Sequence, residues 1–365
     1  MNVSKFNISY YQFVLIIFGV QVGIGMLSLP RNLAEIAGTS SWISIILGGL
    51  ITTLLSMLYI KLSQKVPHDS FSSLITIYLG NVLGKICLFL LAIFFLYAAY
   101  LVLMLSVLFV QTYLLQHTSA FIILFLFLIP SYQLITGGIH LIAKYIETIF
   151  PLIIFFIVIL FLTLKEPNIK NLFPIIKEGW LPIIKAVPTT TMSFLGIEII
   201  FLIYPYLEKK DKAMKGVITA NVMSTFMYLF VTIISFVNAN PYEILDIFSP
   251  VIAMLSIIEF QFLERMDVIL LSLLFMVISK TWVTYFWAGL VGFNELFKMK
   301  KFPLFVLIIF GIITISTYLF IPTFKLIGLQ LKIISNTGLI VILGIPLILW
   351  VARIVNKDKF RVTTK

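Results

Sequence analysis

The chain has 365 residues, of which 61% are hydrophobic and only 11% charged, with a formal net charge of +11 and a mean hydropathy of +1.12. Soluble domains carry about 25% charged residues, so this composition excludes a soluble globular protein and points to a polytopic membrane protein. The basic excess does not mark a nucleic-acid surface, because the lysines fall in the gaps between apolar runs, where membrane topology places them.

Each apolar run of about 20 residues is read as one crossing, and ten are counted in chain order: 10–37, 42–62, 82–115, 119–135, 143–164, 183–207, 213–237, 266–297, 303–321 and 337–355. The third is over-long and is expected to tilt or protrude. A wetter stretch with Pro167, Pro174 and Pro182 precedes the sixth run, and a semi-polar segment at 242–259 reads as a helix lying along the surface. The clusters Lys209, Lys210, Lys212 and Lys298, Lys300, Lys301 place both chain ends on the cytoplasmic side. The single cysteine, Cys87, lies in an apolar run, and His68, His117 and His140 share no metal spacing. No metal site or cofactor is expected. Without a nucleophile–base pair or phosphate loop, neither is an enzyme.

The first run is interrupted. Gly23-Ile24-Gly25-Met26-Leu27-Ser28-Leu29-Pro30 puts two glycines and a proline near the bilayer midplane, and each glycine costs a helix about 1 kcal/mol relative to alanine. A helix that stops, opens and restarts aims free N–H groups, here around Gly25 to Leu27, at a cavity, and these favour a carboxylate. The plain alternative is that Gly23, Gly25 and Ser28 admit a neighbouring helix. The sixth run carries a second interruption, Pro188-Thr189-Thr190-Thr191-Met192-Ser193-Phe194-Leu195-Gly196-Ile197-Glu198. Interrupted spans at matching positions of two halves point to a transporter-type binding site. The halves would be about 10–164 and 183–355, related as a five-plus-five inverted repeat. Hydroxyls and opened carbonyls at the second interruption, from Thr191, Ser193, Phe194 and Gly196, offer acceptors to an ammonium group. An amino acid zwitterion fits the pair.

Two ionisable residues lie at mid-membrane depth, Glu198 and Lys280, and such residues usually face a cavity. Glu198 is either a ligand contact, gate or proton site, or a neutral acid bonded to freed backbone. Arg31 and Glu35, spaced i,i+4, pair on the outer half of the first run or gate its entrance. Lys144 and Glu147 read as an interfacial pair.

The motifs Gly23-Ile24-Gly25-Met26-Leu27-Ser28-Leu29-Pro30-Arg31 and Ser193-Phe194-Leu195-Gly196-Ile197-Glu198 resemble the signatures of the spore germination permease family, the B subunits of nutrient germinant receptors. Phe262-Leu263-Glu264-Arg265 ahead of the eighth run is similar as well. The resemblance implies an all-α fold like that of the amino acid–polyamine–organocation transporters, with broken first and sixth helices. It implies a germinant sensor in the spore inner membrane, acting with a membrane A subunit and a lipoprotein C subunit on an amino acid or similar nutrient. In that fold the third and eighth spans wall the site, which brings in Tyr97 and Tyr285. The first and eighth spans flank a cation site, so Lys280 either takes the cation's place or pairs with Glu198. A proton-coupled amino acid transporter is the alternative function.

Overall fold

In the computed structural model residues 7–65, 70–164, 167–239, 241–257, 266–320 and 322–355 are described, and all regular elements among them are helices apart from one isolated bridge. The expected entry motif at 262–265 and much of the charged tail lie outside the described residues. In hydrocarbon a backbone must satisfy its own polar groups, which is why apolar runs of this length become helices.

The first expected run is split into α1 (Tyr10–Gln21) and α2 (Leu29–Ala37), with a 3-10 turn, Ile24–Leu27, between them. Then come α3 (Trp42–Gln64), α4 (Phe71–Leu79), α5 (Asn81–Tyr113), α6 (Ala120–Thr136) and α7 (Gly138–Leu162). The sixth run is split into α8 (Trp180–Ser193) and α9 (Ile200–Ile203), which is flanked by 3-10 turns. The chain continues through α10 (Ala213–Asn238), α11 (Pro241–Ile244), α12 (Pro250–Ser256), α13 (Met266–Phe297), α14 (Phe302–Leu319) and α15 (Phe324–Val355).

By length and composition, seven stretches among the described residues are long and apolar enough to cross a membrane: Leu29–Gln64, Asn81–Tyr113, Gly138–Leu162, Lys210–Asn238, Val268–Phe297, Phe302–Leu319 and Phe324–Val355. Three shorter apolar pieces stand beside them, Tyr10–Gln21, Ala120–Thr136 and Ile197–Tyr206. The difference from the expected ten comes mainly from the two interruptions, which cut their runs into pieces of 12 residues or so.

Three other expectations change. The surface helix at 242–259 is two short helices, because Pro250 occupies the first turn of α12 and Ser249 before it is extended. The last helix begins at Phe324, well ahead of 337. α4 was not expected; a capping box of Ser70 and Ser73 starts it, and the Glu295 carboxylate of α13 accepts the Ser72 N–H at 2.6 Å.

α13 is the most enclosed of the long helices, 72% of its apolar window being buried, and it forms the central wall with α5. Gly289 and Gly292 allow this approach, since a Cβ on Gly289 would lie 2.7 Å from the Leu96 side chain. Elsewhere α3 packs against both α8 and α10. There a Cβ on Gly48 would lie 2.1 Å from Thr190 Oγ1, and one on Gly49 2.2 Å from Thr225 Oγ1. At one end of the molecule the segment before α1 is pinned to the chain after the second interruption. Ile8 N–H donates to Tyr206 O at 2.9 Å and Ile8 O accepts from Glu208 N–H at 3.2 Å.

Gly48→Leu is expected to destabilise the protein by about 2 kcal/mol or more through overpacking, seen as earlier loss of helical ellipticity on heating in detergent. Gly311→Leu, where an added Cβ meets open space, should leave the transition in place.

Candidate functional site

The first interruption begins where α1 ends at Gln21. Beyond that point carbonyls of the last turn and amides of the next lose their helical partners. Three of these carbonyls receive side chains from other helices, and Gln21 O also takes the Gly23 N–H at 2.8 Å. Thr281 Oγ1 donates to Gly19 O at 3.2 Å, Lys280 Nζ to Val22 O at 2.7 Å, and the Tyr228 hydroxyl to Gln21 O at 2.7 Å.

The amides are not taken up in the same way. The N–H groups of Ile24 and Gly25 reach no acceptor among the described residues, while Met26 N–H returns to Gly23 O at 3.3 Å. The free donors are thus Ile24 and Gly25, a residue earlier than the expected Gly25 to Leu27. The two glycines have different roles. A Cβ on Gly23 would lie 2.6 Å from Thr281 Oγ1, whereas one on Gly25 would meet nothing within 4 Å. Gly23 admits α13; Gly25 leaves open space beside two unpaired donors. The side chains of Ile24, Met26 and Leu27 are buried, and Leu27 O accepts from Ser249 Oγ at 3.2 Å.

The second interruption falls after Ser193, not at Pro188, which α8 carries internally. Gly196 has φ +129°, a conformation side chains other than hydrogen rarely tolerate. A Cβ there would also lie 2.8 Å from Val20 Cγ1 and 3.1 Å from Gln21 N, so the two interruptions meet here backbone to backbone. Glu198 is buried and folds back over this turn. Its Oε2 accepts the Gly196 N–H at 2.9 Å and its Oε1 accepts the Tyr285 hydroxyl at 2.8 Å. It therefore caps the restarting piece Ile197–Tyr206 while tying it to α13.

Lys280 is fully buried, and its second hydrogen bond goes to Val277 O at 2.9 Å. Of the two expected arrangements, the structure has the ammonium on the freed Val22 carbonyl; Glu198 is held by Gly196 and Tyr285 instead. A cation on an unwound carbonyl offsets part of the desolvation that a buried lysine suffers.

The other expected residues divide. Tyr285 joins the site through Glu198. Thr191 Oγ1 and Ser193 Oγ donate within α8, to Val187 O at 3.0 Å and Thr189 O at 3.3 Å. The Ser193 carbonyl accepts from Tyr228 at 2.6 Å. Phe194 is a core ring, edge-on to Tyr228 at 5.1 Å. The carbonyls of Phe194 and Leu195 receive no donor among the described residues. Tyr97 stacks on Tyr100 at 6.4 Å, and no hydrogen bond among the described residues joins it to either interruption. Arg31 does not pair with Glu35: its Nε donates to Leu245 O at 3.0 Å, holding α2 to the loop between α11 and α12. Glu147 likewise accepts from Gln12 Nε2 at 2.9 Å and not from Lys144.

Sequence reasoning missed Tyr228 and the buried amide network beside it. Gln21 Nε2 donates to Asn221 Oδ1 at 2.9 Å, Asn221 Nδ2 to Ser56 Oγ at 2.9 Å, and Ser224 Oγ to Gln21 Oε1. The signal was present: Asn221, Ser224 and Tyr228 fall at i, i+3 and i+7, one polar stripe on α10.

The sequence profile of a family described as "Spore germination protein" matches residues 7–325. The chain belongs to the spore germination permease family. The spore germination protein YndE of Bacillus subtilis is 30% identical over 300 residues, covering 80% of this chain and 82% of that one. GerQB of Bacillus cereus is 28% identical, covering 84% and 85%. Among solved structures, MhsT in complex with L-phenylalanine superposes with a TM-score of 0.61 at 12% identity, covering 91% of this permease-family chain and 87% of that one. Mhp1, a nucleobase-cation-symport-1 family transporter in a closed conformation with bromovinylhydantoin bound, also gives 0.61, at 13% identity and coverage of 93% and 78%. The fold of this spore germination permease is therefore the LeuT-type transporter fold, with its first and sixth helices broken.

Gly196→Ala is expected to cost about 1–3 kcal/mol, from the strained φ, and to push the interruptions apart. A lowered melting temperature together with faster amide exchange at 19–25 would show both effects.

Proposed function

We propose that the chain is the germinant-sensing subunit of a spore nutrient receptor, binding an amino acid where its two broken helices meet. The observation that carries this is the pair of unpaired donors, Ile24 N–H and Gly25 N–H, beside open space at Gly25. They suit a carboxylate, and the vacant carbonyls of Phe194 and Leu195 across the junction suit an ammonium. The halves of the zwitterion would thus be held by the two repeats, about 10–164 and 183–355. Signalling results if ligand binds two arrangements of the halves with different affinity and shifts their populations. The chain would act in the spore inner membrane with an A subunit and a lipoprotein C subunit, both ends facing the core. No chemistry on the ligand is involved.

The Lys280 ammonium on the freed Val22 carbonyl supports the reading that it stands in for a coupling cation, and on that reading binding should not require sodium. The alternative, proton-coupled transport, uses the same pocket and differs in the step after binding. Saturable accumulation of radiolabelled amino acid by vesicles containing the purified protein alone would favour transport.

Two outcomes are expected from calorimetry with the standard amino acids on purified protein. Gly25→Trp should insert and fold, having room for its Cβ, yet lose binding at least tenfold; unchanged affinity would remove this site. Wild-type affinity should be the same in sodium and choline media, and Lys280→Met should weaken it at least tenfold with helix content retained.

A further inference from the structure

Helix α15 packs on the rest of the chain through a side that runs along Ile334, Gly338 and Ile342. On its other side Leu326, Leu329, Ile333, Asn336, Ile340 and Leu343 are all exposed, in alternating steps of three and four residues. A spacing of about 3.5 residues makes a seam along which a second helix can interlock its side chains at a shallow crossing. The seam covers about 26 Å of helix, most of the ~30 Å hydrocarbon thickness. It ends ahead of Pro346 in the same helix, where a proline removes one of the bonds that keep a helix straight.

Lipid would cover five of these six side chains. It cannot cover Asn336. Gly338, two residues on, backs onto the second interruption, since a Cβ there would lie 2.5 Å from the Leu195 side chain. Asn336 therefore stands at the depth of the interruptions. Its side chain is exposed, and no hydrogen bond among the described residues engages it, whereas Thr337 beside it returns its hydroxyl to Ile334 O at 3.0 Å. Asparagine is too short to snorkel to the interface, and hydrocarbon offers it nothing. The amide calls for a partner on another transmembrane helix.

We propose that α15 is the pairing face for a second copy of this chain, with Asn336 bonded to its counterpart across a twofold axis along the membrane normal. Chemistry and orientation single out a second copy. Two copies inserted in the same sense bring their α15 helices together parallel and in register, which sets Asn336 opposite Asn336. A carboxamide carries both donor and acceptor, so it satisfies its own double. One such residue in an apolar seam fixes the register of the pair. The flanking charges agree: in a parallel pair Lys325 and Lys332 fall opposite Gln330 and Thr337 of the second copy, not opposite each other. This surface does not depend on the amino acid site proposed above. Because Gly338 backs the second interruption, the broken helix of each copy lies one helix away from the shared seam.

The test measures the dimer fraction of the purified full chain in lipid vesicles over a range of protein-to-lipid ratios, by single-molecule photobleaching. Wild type should dimerise. Asn336→Leu should weaken association at least tenfold with helix content retained, since leucine suits lipid better than asparagine does. A second arm uses cysteine pairs in a Cys87→Ser background. Ile340→Cys, on the seam, should cross-link two copies under mild oxidation, and Ile312→Cys, likewise exposed but on α14, should not. Wild type that stays monomeric at every ratio would overturn the proposal and leave a helix of a different subunit as the occupant of the seam. Dimers that are indifferent to Asn336→Leu, or that cross-link equally well through Ile312→Cys, would overturn it too.

Discussion

Backbone that has left its helix inside a membrane must find partners in side chains, ligand or trapped water. The rest of this structure is arranged around that constraint. Two helices open at the same depth and touch at Gly196, and the groups set loose there are then met, one by one, from α10 and α13. Lys280 and Thr281 serve the first opening from one side, and Tyr228 serves both from the other. Glu198 closes the second on itself and on Tyr285. Among the groups that find no partner in the described residues are the amides of Ile24 and Gly25 and the carbonyls of Phe194 and Leu195.

The openings were legible in the sequence because glycine has few reasons to sit in the middle of an apolar span. Gly23 and Gly196 admit close approach and Gly25 leaves room. Lys280 and Glu198 were legible for a related reason, the rarity of charge at that depth. Their partners were not. Val22 and Lys280 are 258 positions apart and Gln21 and Tyr228 are 207, and nothing local in either sequence encodes the pairing. Tyr97 and Tyr285 looked alike as aromatic residues on wall helices. Only the packing of α5 on α13 separates them, turning Tyr285 onto Glu198 and leaving Tyr97 stacked on Tyr100.

Hydropathy placed most apolar runs well and misjudged the segments between them. α4 and the pair α11 and α12 are too short to show a clear period, and each is set by a local device instead: a capping box for α4, Pro250 for α12. The surface charges were misassigned by the same limit. Arg31 had Glu35 within i,i+4 reach, yet a loop carbonyl more than 200 residues away is its partner, because the fold lays α11 and the loop after it against α2. Exposed helix pairs contribute only about 0.2–0.5 kcal/mol, so such a contact is readily outcompeted.

The pin at Ile8 ties the two broken helices together at a second point. Because Ile8 bonds through both its amide and its carbonyl to Tyr206 and Glu208, α1 and the piece Ile197–Tyr206 are fastened at their far ends as well as at Gly196. A tilt of one relative to the other would have to break those two bonds. The chain leads from that pin directly into the stretch from Glu208 to Lys215, where four lysines stand at the surface, so the far ends of both pieces are tethered beside a patch of positive charge that suits an anionic lipid surface.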